Sequence, residues 1–512
     1  MKEEVGMKRR GPSKWLVGTT AATIMTLVAS AAMAANPYTN ISGVEGAVNA
    51  AGRRAGMAVN PGHIGQLLWG TFYDVRPVAE PTGATDNQNV NIQIVNTNPT
   101  GTPTGGVLAR VRFRESKFSF EVLDFDIALS CAEVWTANLI LDTASGLPAI
   151  KSQDPIVTNV TGSTITTRPA FDPANGGGIQ DFIQPNSPQV APIDLQRGYF
   201  EVISEELLPC EPNNTPLSRP LSTNTFTRLD ANDVTPPNSL AGLVFIVRPK
   251  AGISYEYNMT AISRFVIAGG GSIQSPTTTS QPDLSSCIGP DNTTPVATFS
   301  GITDCRNQMD FALSKTRLII QYDNDPSDGA NTHLVLTFPT KHDHCGFSLP
   351  SSADAPFFCT GNGTVAGGGE QVGCIIYDRL ENKQTAGQPF ISPAPPQQRC
   401  LLPREVTIIA LRGDSGISPR ADLNFNTNFN GNVSGWLDMN LISDTSDPAT
   451  QVHQLLGLDP NLVDLLGSGW TGFQGLPTLT LILQEYFNGN VGGVFGNSVE
   501  APYEVNYLGG GS

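Results

Sequence analysis

The sequence predicts an all-β protein, built as two antiparallel β-sandwich-like domains with long loops, few short helices and disulfide staples. Three observations carry this. Apolar and polar residues alternate with period two through one stretch after another. Gly (52) and Pro (39) make up about 18% of the 512 residues, against roughly 12% in an average protein, so turns are frequent. All eight cysteines follow an N-terminal leader of the export type, which places them in an oxidising compartment.

Residues 1–34 read as a signal peptide. Lys8-Arg9-Arg10 gives the basic start, Leu16 to Ala31 the apolar middle, and Ala32-Met33-Ala34 the small-x-small cleavage pattern. Five basic and two acidic residues leave with it, which takes the formal charge from −16 to −19. So acidic a chain repels phosphate backbones, and a nucleic-acid partner is excluded on that ground. Charged residues are only 15%, against roughly 25% on average, and the chain is too apolar to read as disordered. Beyond the leader no apolar run reaches the roughly 18 residues needed to span a bilayer, so no transmembrane segment is expected in the mature chain.

The expected N-terminal domain covers 35–268. Val90, Ile92 and Ile94 alternate with Asn89, Asn91 and Gln93, and Asn96-Thr97-Asn98-Pro99 turns the chain. Leu108–Arg114 repeats the pattern, with Arg110, Arg112 and Arg114 expected on the solvent face. Further strands are expected at Leu123–Ile127, Tyr199–Ile203, Leu243–Val247 and Ile253–Met259. Thr158 to Pro192 is rich in Thr, Asn, Gly and Pro and reads as a long surface loop. A linker is expected over 269–308, where Gly, Ser, Thr and Pro dominate.

The expected C-terminal domain covers 309–512, with strands at Arg317–Tyr322, His333–Phe338, Glu405–Leu411 and Leu479–Leu483. Residues 345–400 form a Gly/Pro-rich insertion dense in cysteine. Asp447-Pro448 and Asp459-Pro460 each open a short helix, with Asp at the N-cap and Pro in the first turn.

The cysteines are Cys131, Cys210, Cys287, Cys305, Cys345, Cys359, Cys374 and Cys400. Eight cysteines allow 105 connectivities. Proximity suggests Cys131–Cys210, Cys287–Cys305 and two bridges among the last four. No Cys-x-x-Cys is present, so neither a redox motif nor a zinc ribbon is supported.

Asp323-Asn324-Asp325-Pro326-Ser327-Asp328-Gly329 gathers three acidic residues before a glycine. Hard oxygens converging on a sharp turn suit calcium, and Asp323, Asp325 and Asp328 are the candidate ligands. The spacing is irregular for an EF-hand, and an Asx turn between strands explains the segment more simply. His342 and His344 would share a side if they lay on a strand, and with His333 or Asp343 could hold a transition metal. A polar loop after Pro339 is the plainer reading. Gly413-Asp414-Ser415-Gly416 resembles the nucleophile loop of trypsin-like proteases. However, Ile417 replaces the next glycine, and no histidine stands in the required context. There is no Walker-type loop, dinucleotide fingerprint or His-Glu-x-x-His helix. Trp69, Trp135, Trp436 and Trp470 are spread along the chain. Exposed, they would be platforms for carbohydrate, while Trp135 sits among strand residues and is expected in the core. Seven Asn-x-Ser/Thr sequons occur, at Asn40, Asn159, Asn213, Asn258, Asn292, Asn362 and Asn432, but the Ala-rich leader has a bacterial look.

Leu123–Ser130 with Val134-Trp135, Arg197–Ile203, and Val335–Lys341 resemble strand motifs of a loose group of secreted, β-rich bacterial cell-envelope proteins, some of them surface-layer-like. These motifs carry no catalytic residues. The resemblance implies location and architecture. The expected function is therefore a non-catalytic structural or interaction protein of the bacterial surface, with self-association or cell-envelope glycans as partners and calcium as the one candidate cofactor. A carbohydrate-binding or adhesive module is the alternative, and a secreted hydrolase the second alternative.

Overall fold

In a computed structural model the chain consists mainly of antiparallel strands. The described residues add only three short helices, Pro192–Leu195, Cys305–Leu313 and Lys341–His344. The structure describes residues 58–79, 85–99, 104–161, 164–169, 179–210, 225–227, 238–265 (without 251 and 264), 305–345 (without 326, 328 and 329), 355–358, 369–382, 399–412, 421–427, 431–443, 452–456, 472–488 and 493–508 (without 502 and 505). The leader, most of the expected linker and both Asp-Pro helix starts lie outside these residues.

Four large sheets carry the fold. Sheet A runs, in spatial order, Gln180–Asp181, Pro148–Lys151, Val134–Leu141, Asn89–Asn96, Leu240–Arg248 and Ile253–Asn258. Sheet B runs Ala58–Asn60, Thr260–Ser263, Leu67–Asp74, Arg197–Pro209, Thr104–Glu115 and Glu121–Leu129. Sheet C runs Leu423–Asn426, Val406–Arg412, Asn331–Thr337, Leu479–Asn488 and Gly493–Val499. Sheet D runs Arg399–Leu402, Glu370–Asp378, Ser434–Asn440, Arg317–Asp323 and Tyr503–Glu504. Pairing is antiparallel throughout except where Val406–Arg412 meets Leu423–Asn426 in parallel.

Alternation along each strand decides which faces meet. Val90, Ile92 and Ile94 of sheet A share a core with Val107, Val111 and Phe113 of sheet B. Leu318, Ile320 and Leu437 of sheet D share a second core with Leu334, Leu336 and Ile409 of sheet C. The other face of sheet C joins the first core: Val335, Val406, Ile408, Leu479 and Leu481 all belong to it. Strand Leu67–Asp74 is accordingly buried on both faces, and so is Asn331–Thr337 from Thr332 onward. The apolar runs Leu67-Leu68-Trp69 and Leu334-Val335-Leu336 within them fit that placement.

Burial on both faces corrects one expectation. Arg110, Arg112 and Arg114 were expected in water, yet they are 0%, 0% and 7% exposed. Each meets carboxylates from a neighbouring strand. The register sets Arg110 opposite Asp126, Arg112 opposite Asp124 and Glu201, and Arg114 opposite Glu121. Ion pairs follow from this: Arg110 Nε–Asp126 Oδ1 at 2.8 Å, Arg112 Nε–Glu121 Oε2 at 2.8 Å, and Glu201 Oε1 at 3.1 Å from both Arg112 and Arg114. Burial alone would push the Glu201 carboxyl up, but the Arg114 and Arg112 guanidiniums outweigh it and hold it below the usual range.

The Thr158–Pro192 stretch is a second correction, since it contains strands where a loop was expected. Pro155–Thr161 and Thr164–Pro169 pair as a hairpin, and Thr225–Thr227 adds a third strand. The reason is its β-branched content: Ile165, with Val157 just before the stretch, packs with Leu108, Ala128 and Leu208 in a small separate core.

Sheets B and C are also joined at one end by polar contacts. Arg197 makes a two-pronged pair with Asp422 at 2.6 and 2.9 Å. Arg404 reaches Asp422 at 3.1 Å and Asp194 at 2.5 Å. The Val406 amide donates to Ser116 O at 2.9 Å, and the Ser119 hydroxyl donates to the buried Glu405 carboxylate. Burial is the main cause that pushes Glu405 up from 4.5 to about 8, although Ser119 and Lys341 pull the other way.

Three outcomes are expected. The folded chain holds the Glu405 proton more tightly than the unfolded chain does. Unfolding free energy should therefore fall as pH rises from about 4.5 to about 8, and Glu405→Gln should flatten that slope in urea titrations run across this window. Glu201→Gln, which leaves two buried guanidiniums short of their shared anion, should cost about 3–5 kcal/mol by the same measurement. Glu504→Gln, at an exposed rim, should change stability by less than about 0.5 kcal/mol.

Candidate functional site

Sheet D turns one face to its core and the other outward. On Ser434–Asn440, Leu437 and Met439 point inward, so Trp436, Asp438 and Asn440 point outward. On Arg317–Asp323, Leu318, Ile320 and Tyr322 are inward, leaving Arg317, Ile319 and Gln321 outside. On Glu370–Asp378, Val372, Cys374 and Ile376 are inward, leaving Gly373, Ile375 and Tyr377 outside.

The register lines these residues up across three strands. Arg317, Asn440 and Gly373 form one row, Ile319, Asp438 and Ile375 the next, and Gln321, Trp436 and Tyr377 the third. Tyr377 and Trp436 stack with centroids 5.1 Å apart and planes 15° apart, and both rings are half-buried. Beside them, over the missing side chain of Gly373, lies a pocket of about 260 Å³ lined by Arg317, Ile375, Asp438, Asn440 and Glu504.

The polar groups in the pocket are arranged in pairs. Arg317 donates from Nε and Nη2 to the two oxygens of Asp438, both at 2.7 Å, and from Nη1 to Glu504 at 3.2 Å. The Asp438 hydrogen bonds come first among the causes that raise the guanidinium above its ordinary range. Asn440 Oδ1 accepts from the Ile442 amide at 2.9 Å, while its Nδ2 makes no hydrogen bond among the described residues. The stacked pair is held from behind. Tyr322 donates its hydroxyl to the Tyr377 carbonyl at 2.9 Å. Asp378 accepts from Leu380 N, Asn382 N, Asn382 Nδ2 and Asn432 Nδ2 at 2.8–3.0 Å. Burial pushes the Asp378 carboxyl up, but these donors outweigh it and leave it below the usual range. The Cys374–Cys400 bridge ties Glu370–Asp378 to the adjoining strand, with Cα atoms 5.8 Å apart.

The residues singled out from the sequence are scattered. Cys131–Cys210 is bridged as expected, with a Cα separation of 5.3 Å. Cys374–Cys400 is one of the pairings open among the last four, and Cys345 is also disulfide-bonded. Cys287 and Cys359 lie outside the described residues, as do the side chain of Cys305 and the Ser415 loop. Asp323 ends its strand on the exposed side, and Asp325 Oδ1 accepts from Ser327 N at 2.8 Å and Ser327 Oγ at 2.7 Å, which is an Asx turn. Asp328 lies outside the described residues. His342 and His344 are on one helical turn rather than a strand, and they diverge. His342 Nδ1 lies 3.4 Å from the Tyr199 hydroxyl, and His344 Nε2 lies 2.6 Å from Asp310. Among the described residues no group of three His, Cys, Asp or Glu side chains is placed to hold a metal. Trp69 and Trp135 are fully buried, which leaves Trp436 as the described tryptophan on an open face.

Sequence reasoning noticed Trp436 but missed its companions. Trp436-x-Asp438-x-Asn440 is a signal that could have been used, since period two puts all three on one face. Arg317 and Tyr377 come from distant strands, and their nearness depends on pairing. Compared with protein-family models, curated proteins and solved structures, the chain has no significant match in any of the three.

Gly435 sits where a Cβ would run into the Tyr377 carbonyl oxygen and crowd the Tyr322 hydroxyl. Gly435→Ala should therefore cost about 1–3 kcal/mol in thermal or urea unfolding, with loss of near-ultraviolet dichroism from the disturbed aromatic stack.

Proposed function

We propose that this chain is a non-catalytic component of the bacterial cell exterior that works through surface contact, with the outward face of sheet D as its contact surface. The observation that carries the reading is the coincidence, on one rigid face, of a stacked Tyr377–Trp436 pair, a pocket and fixed polar partners. Amphipathic aromatics beside oriented polar groups are how sites obtain both area and direction. The leader over residues 1–34 and the disulfides support an oxidising location outside the cytoplasm. Among the described residues no helix is long and apolar enough to cross a membrane.

Two kinds of contact fit this role, envelope glycans and lateral association of copies into a layer. The test is fractionation and imaging of cells that express the tagged full-length chain. The wild type should remain with the envelope, and Trp436→Ala with Tyr377→Ala should release it into the medium while it stays folded. Wild-type chain found wholly in the medium, or in the cytoplasm, would overturn the proposal.

A further inference from the structure

We infer that the pocket on sheet D is a binding site for a neutral oligosaccharide, with one sugar ring between Arg317, Asp438 and Asn440 and the next over the Tyr377–Trp436 pair. The inference rests on the reading of this face as a contact surface and assigns its ligand class.

Size is the first argument. A pocket of about 260 Å³ falls just below the roughly 300–1,000 Å³ range of drug-sized sites, so it suits a single small ring better than a folded partner's side-chain cluster. Spacing is the second. Asp438 and Trp436 are two residues apart on one strand, about 6.8 Å at the usual rise, and point the same way. The two subsites therefore lie side by side on one face, as neighbouring rings of one extended chain require.

Hydrogen-bond inventory is the third argument. Each Asp438 oxygen receives one donor from Arg317 and keeps a second lone pair for a hydroxyl. Asn440 Nδ2 is a donor whose amide is already oriented by the Ile442 bond. An acceptor and a donor fixed side by side match neighbouring hydroxyls, each of which both gives and receives. The two half-buried rings leave apolar surface for the C–H groups of a sugar.

Charge argues against anionic competitors. Arg317 is already matched by Asp438 and Glu504, so the pocket has no spare cation for a carboxylate, sulfate or phosphate. The formal charge of −16 on the whole chain adds a general repulsion of anionic glycans.

The test is titration of the full-length mature protein with panels of neutral oligosaccharides (gluco-, xylo- and N-acetylglucosamine-based) and of uronate and sulfated ones, followed by calorimetry or chemical-shift change. At least one neutral series should bind, with affinity that rises from one ring to two. Trp436→Ala and Asn440→Ala should each weaken binding by about tenfold or more. Phe245→Ala, on the outer face of sheet A, should leave binding unchanged, and each variant's melting transition checks that it is folded. The ligand class is overturned if no neutral panel member binds the folded wild type, if anionic members bind better, or if both site variants bind as the wild type does. Envelope retention that depends on Trp436 without any neutral-sugar binding, or with self-association through this face, would sink the ligand class and leave the contact-surface reading standing. Sugar binding with retention indifferent to Trp436 would do the reverse.

Discussion

Three guanidiniums on one strand, shut away from water, set the terms for much of this fold. Arg110, Arg112 and Arg114 are tolerable only because Asp124, Asp126, Glu121 and Glu201 arrive from both neighbouring strands in the right register. A one-residue slip would carry every charge to the opposite face and set the arginines among Val107, Val111 and Phe113. The ladder therefore fixes register more strictly than apolar alternation could. Replacing such a network by well-packed apolar residues is often neutral or stabilising, so its contribution lies in specifying one pairing rather than in bulk stability.

Once sheet B is fixed, its outer surface becomes the base for sheet C. Val335, Ile408 and Leu481 complete the first core from outside, and Thr337 Oγ1 donates to Thr71 O at 2.7 Å. Sheet C in turn supplies Leu334 and Leu336 to the core beneath sheet D. The outward face of sheet D is thus the far side of a support that begins at the arginines. Its rows of side chains are held on strands rather than loops, which keeps Asp438, Asn440 and Trp436 in fixed relation.

Strands were legible in the sequence wherever period two was strong, as at Val90–Ile94 and Arg317–Tyr322, because that pattern survives any tertiary arrangement. The environment of a polar stripe was not legible. Arg110-x-Arg112-x-Arg114 reads the same whether it faces water or carboxylates. The clue was Asp124-x-Asp126 at matching spacing on the next strand, since a hairpin would set the two stripes opposite one another. Thr158–Pro192 misled because its apolar residues are sparse, with Ile165 packing beside Val157 from just before the stretch. Of the candidate site only Trp436 was read from the sequence, although period two puts Asp438 and Asn440 on the same face. Arg317 comes from 121 residues upstream of Asp438, a distance that strand order alone closes.

The seam at Arg197, Asp422, Arg404 and Asp194 has a bearing on how the chain is made. Arg197 and its carboxylate partner are 225 residues apart. Until Asp422 is in place, Arg197 lacks its two-pronged partner and the side of sheet B that sheet C covers stands open. Contacts of such sequence separation form slowly, because a long loop must close before they reward it. Completion of the fold is thereby tied to the distance along the sequence from Arg197 to Asp422.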